Sequence, residues 1–476
     1  MTTEKQNHEL IRKIVYTHRR HSRDKRWRLL IALASVIILS LYLWGFAHSS
    51  LTGAILSLFH HHEFKRFHHL GHLSPFFVPS NTPRSLKSGT PPGCAVKKAF
   101  LIHRHGSRHP HGDELDVIRK LDDYVNDNRD LFSNPRVRLP NAYSFLHQGW
   151  NSSFGIDSLT APGRQQLFDH GVALRLQYPE LYDEIDVLAS DSDRVVESAR
   201  WFMDGYYGRD SNSTATLTVV AEDGATVSWM TPYQTCQKWS SGYGEGSPAK
   251  WRAVYIPPIT KRINKALSKA YPEVNFTDMH ISGMLYSCAY ETAIWGVDSS
   301  HWCNIFLPKE IADNEYEYDL RMRGFAGYGL PGDMGSVLGS LLVANMTNFL
   351  QQDAGPKLAL GFGHDKTIAL GLTALGLASD KSYPPAGPAD PDRAWRAARL
   401  FPFAANMLWQ RLECDGESRI QLILNGANYG LRPIGCKIDK YGSCAFDEFI
   451  NTAKVQSALN STYGSDRWES ACRRIT

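Results

Sequence analysis

Residues 101–110 read LIHRHGSRHP, and this stretch concentrates side chains that could bind and attack an anion. Arg104 and Arg108 offer guanidinium N–H donors to an anion with several oxygens, of which phosphate is the natural example. His105 lies between them, and a neutral imidazole nitrogen is a competent nucleophile towards phosphorus. The apolar run KKAFLI before these residues predicts a buried strand, and Gly106 would permit an unusual backbone angle in the turn that follows. The stretch therefore predicts a phosphate-handling site; the alternatives are a basic surface loop and a nucleic-acid contact.

Two further segments repeat this pattern of strand, charged turn and helix. Residues 185–189 (IDVLA) predict a strand, and after a Ser-Asp-Ser cap Arg194 opens a helix with one apolar face. Residues 358–362 predict another buried strand, which is followed by His364 and Asp365 and then by a buried helix pattern. In open α/β sheets, ligands bind beyond the carboxyl ends of the strands. We therefore expect the charged turns of all three units to face a ligand.

The composition is that of an ordinary globular protein. The chain has 476 residues, of which 43% are apolar and 21% charged, and this fits one large domain or two closely joined domains. A net charge of +4 is nearly balanced, so no nucleic-acid partner is expected. No Cys-x-x-Cys pair indicates zinc or redox chemistry, and we predict neither a metal nor another cofactor.

The N-terminal segments predict a membrane anchor. Residues 29–47 are 19 residues without a charge, which is long enough for a transmembrane helix. The 28 residues before them hold nine Lys or Arg against three acids. This asymmetry predicts a cytoplasmic tail (1–28), a signal-anchor (29–47) and a lumenal or extracellular remainder, as in a single-pass type II membrane protein. A cleavable signal peptide is the alternative.

Residues 48–93 predict a stem between the membrane and the rest of the chain. Five prolines with scattered Ser, Gly and Asn give this segment a composition that resists packing. Its histidines, at 60–62 and at His68, His69 and His72, could bind a transition metal. Because no acidic or cysteine ligands accompany them, we expect these histidines to be solvated.

Two features of the remaining chain are typical of the secretory pathway. All eight cysteines follow the predicted span, and an even count on the oxidising side predicts disulfides, although the sequence leaves about 105 pairings open. The cysteines are Cys94, Cys236, Cys288, Cys303, Cys414, Cys436, Cys444 and Cys472. Five N-x-[ST] sequons, at Asn151, Asn212, Asn275, Asn345 and Asn460, predict glycosylation.

The pattern Arg104-His105-Gly106-x-Arg108-x-Pro110 resembles the signature of the histidine acid phosphatases, which form branch 2 of the histidine phosphatase superfamily and include the fungal phytases. The resemblance covers most of residues 94–472. It implies a catalytic domain at 94–476 with a mixed α/β sandwich core and an inserted, smaller, mainly helical domain that roofs the cleft. It also implies the disulfide pairs Cys94–Cys414, Cys236–Cys472, Cys288–Cys303 and Cys436–Cys444.

The resemblance also implies roles for the site residues. His105 would be the nucleophile that forms a phosphohistidine, and Asp365 would be the acid that protonates the leaving group. The substrate phosphate would be bound by Arg104, Arg108, Arg194 and His364. The His-Asp pair at 364–365 separates this chain from inositol polyphosphate phosphatases, which usually have His-Ala-Glu at this point.

We therefore interpret the sequence as that of a membrane-anchored acid phosphatase that hydrolyses small phosphomonoesters, with inositol phosphates as one possible group. A true phytase is the first alternative. Against it, His109 stands where many phytases have tyrosine, and residues 111–116 are acidic rather than lysine-rich. An inactive, anchored phosphate-binding protein is the second alternative.

Overall fold

A computed structural model describes residues 64–134, 136–183 and 185–473, with Asp210 and Asn212 described without their side chains. The predicted tail and span, and the predicted stem up to residue 63, lie outside these ranges. Within the described ranges, no helix is both long enough and apolar enough to cross a membrane. The described residues from Lys65 onwards form one compact unit.

A mixed β-sheet forms the centre of this unit. Its described strands are β1 (Cys94–Arg104), β2 (Asp186–Ser190), β3 (Thr216–Val220), β4 (Leu358–Gly363), β5 (Asn406–Cys414), β6 (Glu417–Leu424), β7 (Ala427–Tyr429) and β8 (Cys444–Ala445). Their order in the sheet is β3-β2-β4-β1-β5-β6-β7, and β8 pairs with β6. The predicted α/β core is therefore confirmed.

The sheet has a parallel half and an antiparallel half, and β1 joins them. On one side β1 pairs in parallel with β4, and β4 pairs in parallel with β2. On the other side β1 pairs antiparallel with β5. The β1–β4 register sets Arg104 opposite Gly363, so the two strands end at the same level and their following turns are neighbours. This edge is where the sequence predicts a ligand.

Helices cover the sheet and extend beyond it. The described α-helices are α1 (Gly112–Asp127), α2 (Arg129–Phe132), α3 (Ala161–Gln177), α4 (Asp193–Tyr207), α5 (Ser211–Thr214), α6 (Gly246–Leu267), α7 (Asp278–Trp295), α8 (Pro308–Ala326), α9 (Met334–Gln351), α10 (Asp365–Ala374), α11 (Ala397–Leu400), α12 (Phe446–Ile450), α13 (Ala453–Leu459) and α14 (Asp466–Cys472). Helices α3 and α4 pack closely on each other, and α9 packs on α10. A further group, α1, α6, α7 and α8, packs together.

The main core lies between α4 and the parallel strands. Val187, Leu360 and Phe362 on the strands are buried together with Phe202 and Ala199 on α4. The apolar face of α4 that the 3.6-residue period predicts is thus the face that packs on the sheet. This packing fixes the start of α4 relative to the ends of β2 and β4.

The described part of the predicted stem differs from the expectation. Two 3₁₀ turns, Arg66–His69 and Gly71–Leu73, lie on the domain, and Leu70 and Leu73 are buried. The solvation expected for the histidines is wrong for His72, which is 6% exposed. The prediction rested on the proline content, but the prolines follow this turn segment. Its own leucines lie three residues apart and pack on the domain.

Four cysteine pairs lie within disulfide-bonding distance in the structure. They are Cys94–Cys414, Cys236–Cys472, Cys288–Cys303 and Cys436–Cys444, the pairs that the family resemblance implied. The first pair joins the start of β1 to the end of β5, in register with the antiparallel ladder. It therefore ties together the strands on which the site is built.

Candidate active site

Arg104 is the last residue of β1, and its guanidinium is buried below the cleft. Its Nη1 donates to the carbonyl oxygens of His72 and Phe401, the latter at 2.8 Å. Its Nη2 forms an ion pair with Asp365, with 3.2 Å between Nη2 and Oδ2. The two carbonyls fix the plane of the guanidinium, because Arg N–H groups donate in a rigid fork. The side chain is therefore oriented before any ligand arrives.

His105 follows directly and presents one ring nitrogen to the cleft. Its Nδ1 lies 2.9 Å from the carbonyl oxygen of Gly106, which places the proton on Nδ1 and leaves Nε2 bare. Burial, with the charges of Arg104 and Arg194, holds the pKa of His105 well below its usual value. The ring is therefore neutral over the whole physiological range, as a nucleophile must be.

Gly106 is required by a close approach of two backbones rather than by an unusual backbone angle. Its φ is not in the left-handed region, contrary to the sequence expectation. A Cβ on Gly106 would lie 2.4 Å from the carbonyl oxygen of Gly163 at the start of α3. A Cβ on Gly163 would in turn lie 2.1 Å from the carbonyl oxygen of Ser107. This pair of glycines lets α3 press against residues 105–111, the loop between β1 and α1, which is named the catalytic loop for the roles proposed for its residues.

Arg108 is buried and is held by partners that the sequence analysis missed. Its Nη1 contacts the Tyr290 hydroxyl at 3.2 Å and Glu114 Oε2 at 3.4 Å, and the same hydroxyl donates to Glu114. Burial favours the neutral form of Glu114, but Arg108 and Tyr290 lower its pKa below the usual value. The carboxylate thus offsets one arginine charge. Neither α1 nor α7 carried a motif that distinguished these residues from ordinary helix positions.

Arg194 is the second residue of α4, and it reaches the cleft from the end of β2 as predicted. Its Nη1 lies 3.9 Å from Asp157 Oδ1, and Asp157 also pairs with His111. Burial and the charge of Arg108 lower the pKa of Arg194. Three guanidinium groups therefore converge on one site, and each lies within 4 Å of one carboxylate, that of Asp365, Glu114 or Asp157.

His364 caps the N-terminus of α10 and contacts a further acid. Its Nε2 lies 2.7 Å from Glu222 Oε1 and 3.4 Å from the Ser190 hydroxyl. Burial alone would raise the pKa of Glu222, but the hydrogen bond and charge of His364 lower it to about 2. Sequence analysis missed Glu222, although it stands just after β3, at the same edge of the sheet as the other site residues. A strand prediction for residues 216–220 would have found it.

Asp365 opens α10 and faces Arg104. Burial favours the neutral acid, but the charge of Arg104 holds the pKa of Asp365 well below its usual range. Asp365 is therefore a carboxylate when the site is empty. It can act as an acid only after a ligand has replaced it as the ion-pair partner of Arg104 or has delivered a proton to it.

A cleft of about 190 Å³ brings these residues together. It is lined by all six residues predicted to bind phosphate or to react with it: Arg104, His105, Arg108, Arg194, His364 and Asp365. Four further lining residues, Asp113, Arg321, Lys366 and Phe325, come from α1, α8 and α10. The arrangement can bind a tetrahedral oxyanion against three guanidinium groups, with a bare imidazole nitrogen on one side and a carboxyl group within reach.

Comparisons with known proteins agree with this geometry. A thiamine-repressible acid phosphatase of Schizosaccharomyces pombe is 28% identical over 445 residues, which cover 86% of this chain and 92% of that protein. Phytase A of Aspergillus oryzae is 26% identical over 422 residues, which cover 80% of this chain and 87% of that protein. The crystal structure of the phytase from D. castellii shares the fold, with a TM-score of 0.74 at 22% identity over 86% of this chain and 88% of that chain.

The family assignment rests on the catalytic domain as a whole. Residues 95–425 match the histidine phosphatase superfamily (branch 2), and this range contains β1 to β6 except Cys94, together with all six predicted site residues. The motif at Arg104–Arg108 and the His-Asp pair at 364–365 meet in one cleft, as the resemblance implied. The chain therefore belongs to the histidine phosphatase superfamily, branch 2.

Proposed function

We propose that the protein is an acid phosphatase that hydrolyses phosphomonoesters through a phosphohistidine at His105. The observation that carries this proposal is the bare Nε2 of His105, fixed by the Gly106 carbonyl and surrounded by three arginines. The guanidinium groups neutralise the phosphate oxygens, so that a neutral nucleophile can approach phosphorus. The acid phosphatases and phytases among the relatives support the same activity.

In the first step, Nε2 of His105 attacks phosphorus, and the bond between phosphorus and the ester oxygen breaks. Asp365 donates a proton to that oxygen, so the alcohol leaves neutral. In the second step, Asp365 accepts a proton from water as the water attacks phosphorus. The P–N bond breaks, the electron pair returns to His105, and inorganic phosphate leaves.

The ion pair between Arg104 and Asp365 explains how acid pH favours this reaction. Asp365 is ionised in the free enzyme, so it needs a proton when the substrate binds. A phosphomonoester has a second pKa of about 6, so below that pH it arrives as a monoanion that carries a proton. Binding brings this proton to the Asp365 carboxylate, while the phosphate oxygens replace Asp365 as the ion-pair partner of Arg104. We expect activity to fall as the pH rises above the second pKa of the substrate.

Trapping the intermediate tests the role of His105. Rapid quenching after mixing with a ³²P-labelled phosphate donor should yield label that is acid-sensitive and alkali-stable, as expected of phosphohistidine. The label should be absent in His105→Ala. His109→Ala is the matched control, because His109 is in the same loop but does not line the cleft. Label that persisted in His105→Ala would remove His105 from the nucleophile's role.

We propose simple phosphomonoesters, rather than phytate, as the preferred substrates. Asp113 and Glu114 line the cleft, and Glu222 lies beside His364. These carboxylates oppose a ligand that carries many negative charges beyond the bound phosphate. Helices α1, α6, α7 and α8 are proposed as the smaller helical domain that roofs this cleft. Comparison of kcat/KM for phytate and for glycerol phosphate tests the preference, and an inactive purified domain would instead favour the phosphate-binding alternative.

We further propose a type II membrane topology with a glycosylated, lumenal catalytic domain. The four disulfide pairs support an oxidising compartment, and Asn151, Asn275, Asn345 and Asn460 are exposed. A C-terminal tag should be protected from protease in sealed microsomes, and the protein should gain mobility on deglycosylation. A tag digested from the cytosolic side would contradict this topology.

A further inference from the structure

His72 lies in the catalytic cleft although it comes from the segment before the catalytic domain. The segment turns at Gly71, whose φ of 60° is in the left-handed region that glycine favours. A Cβ on Gly71 would lie 2.4 Å from Tyr318, so only glycine lets the turn pack against α8. The His72 ring then meets the Tyr318 ring edge to face, with 5.0 Å between centroids. The imidazole is thus held in one place.

One polar atom of this imidazole is not used by the protein. Nδ1 of His72 is buried and has no hydrogen-bond partner. An unpaired polar atom in a protein interior costs free energy, and most such atoms find a partner. Because the ring lines a cleft built for a polar ligand, the missing partner is best supplied by that ligand. Burial, with the charges of Arg104 and Arg108, lowers the pKa of His72 to about 3 against the opposing effect of Asp365, so the ring is a neutral donor and acceptor.

His72 borders the leaving-group side of the cleft. Its carbonyl oxygen accepts from Nη1 of Arg104, and Nη2 of the same guanidinium forms the ion pair with Asp365, so His72 lies at the Asp365 end of the cleft. In the proposed reaction, Asp365 protonates the ester oxygen, so a group beside Asp365 faces the departing alcohol. The phosphate oxygens, in contrast, face the guanidinium groups.

We propose that His72 hydrogen-bonds a hydroxyl group on the leaving alcohol and so selects phosphate esters of polyols over esters of plain alkyl alcohols. This inference rests on the proposed function, since it assigns the leaving-group side from the role of Asp365. It adds a substrate-contacting residue from outside the catalytic motifs. The backbone of His72 has a separate task, because its carbonyl orients Arg104.

A matched pair of substrates tests this contact. Glycerol 1-phosphate and n-propyl phosphate have the same carbon chain and ester, and they differ by two hydroxyl groups. We expect wild type to have the higher kcat/KM with glycerol phosphate. His72→Phe keeps a ring against Tyr318 and removes both nitrogens, and it should lower the ratio of the two kcat/KM values about tenfold, the effect of one hydrogen bond. His72→Gln, which can still donate and accept, should keep most of the ratio.

The ratio separates a contact with substrate from a structural role. If the substitution acted only by disturbing the His72 carbonyl, Arg104 would be misplaced. Inhibition by inorganic phosphate would then weaken, and kcat/KM would fall equally for both substrates. That result would overturn the proposal. An unchanged ratio in an active His72→Phe enzyme would also overturn it. If His72→Phe does not fold, His72→Leu makes the same comparison with a smaller side chain. Wild-type protein that releases no phosphate from any ester would instead refute the proposed function, and this inference with it.

Discussion

The ion pair between Arg104 and Asp365 has two consequences at the scale of single residues. It keeps the carboxylate ionised in the empty site, where a buried acid would otherwise be neutral. It also makes the arrival of phosphate the event that frees the carboxyl group, since the phosphate oxygens compete for the same guanidinium. In the proposed reaction, substrate binding therefore makes Asp365 able to hold a proton, which its own environment does not.

Asp365→Asn should slow the reaction in proportion to the basicity of the leaving group. An alkyl alcohol, with a pKa of roughly 15, needs a proton as it leaves, and a general acid contributes about 10²–10⁴-fold. The defect with alkyl phosphates should therefore have this size. Nitrophenolate, with a pKa of about 7, leaves largely without a proton, so the rate with p-nitrophenyl phosphate should fall much less. Single-turnover release of the alcohol measures the step directly.

Arg194→Ala provides the contrast to this variant. It weakens charge stabilisation for every ester, so the losses with the two substrates should be similar. If Asp365→Asn also slowed both esters equally, Asp365 would be a positioning residue. The proton donor would then have to be another group in the cleft.

At this scale, the sequence predicted the residues that carry motifs and missed the residues that support them. Arg104, His105 and Arg108 stand in one recognisable stretch, and their meeting with His364 and Asp365 follows from strand ends. Glu114 and Tyr290, which hold Arg108, come from two helices far apart in sequence. Their pairing depends on how α1 packs on α7, and no local pattern encodes that contact.

At the scale of elements, the site depends on how closely helices approach the strand ends. The backbone of α3 touches the catalytic loop through Gly106 and Gly163, and Gly106 N–H also donates to the Ser198 hydroxyl on α4 at 3.1 Å. Two helices therefore press on the loop from one side of the sheet. The backbone of the loop is also held elsewhere, since His105 N–H donates to the Gly363 carbonyl oxygen at 3.1 Å and His109 N–H donates to the Ser158 carbonyl oxygen at 2.8 Å.

Gly163→Ala should reduce activity by moving the catalytic loop. The added methyl group would lie 2.1 Å from the Ser107 carbonyl oxygen, so the backbone of the loop or of α3 must shift. A shift of about 1 Å at a catalytic group can cost about 10²-fold in rate, and we expect a kcat loss of at least about tenfold. Steady-state kinetics with p-nitrophenyl phosphate measures the loss.

Gly112→Ala is the matched control, because a Cβ at this helix start meets no atom within 4 Å. It should keep wild-type kcat and should not lower the melting temperature. Activity of Gly163→Ala within twofold of wild type would show that the contact between α3 and the loop is not needed for positioning.

The three strand-turn-helix units were predictable because each has a buried strand, a polar turn and an apolar helix face in sequence. The antiparallel half of the sheet could not be predicted in the same way. Most residues of β5 and the second half of β6 are buried, so neither strand shows an alternation of apolar and polar residues along its whole length. The segment around Leu70 and Leu73 was assigned to the stem because its tertiary partner, α8, lies far away in sequence.

At the scale of the molecule, the order of the chain and the order of the sheet differ strongly. The central strand β1 has neighbours from the last third of the described chain, and the Cys94–Cys414 bond spans a sequence separation of 320. Closing so long a loop removes much conformational freedom from the unfolded chain. The fold that positions the site thus exists only when both ends of the domain are present.

The same sheet buries a histidine that should make the domain less stable in acid. His103 on β1 is 1% exposed, with Nδ1 at 2.7 Å from the Arg104 carbonyl oxygen and Nε2 at 2.9 Å from His170 Nδ1. Burial, aided by the charge of His170, lowers the pKa of His103 to about 3. Because the unfolded chain binds a proton near pH 6.5 and the folded domain does not, stability falls as the pH drops from about 6.5 towards about 3.

His103→Asn should therefore reduce the dependence of stability on pH. At about pH 5 the unfolded state of wild type gains about 2 kcal/mol from protonating His103, and the asparagine variant lacks this contribution. The variant can still donate to the Arg104 carbonyl. We expect the difference in unfolding free energy between about pH 7.5 and about pH 5, measured by urea denaturation, to shrink by about 2 kcal/mol. Phe202→Leu is the control: its ring packs 5.6 Å from the His103 ring, and its loss should lower stability equally at both pH values. An unchanged difference in His103→Asn would mean that His103 is protonated in the folded domain at acid pH, and the buried pair with His170 would then have to open as the enzyme enters its working range.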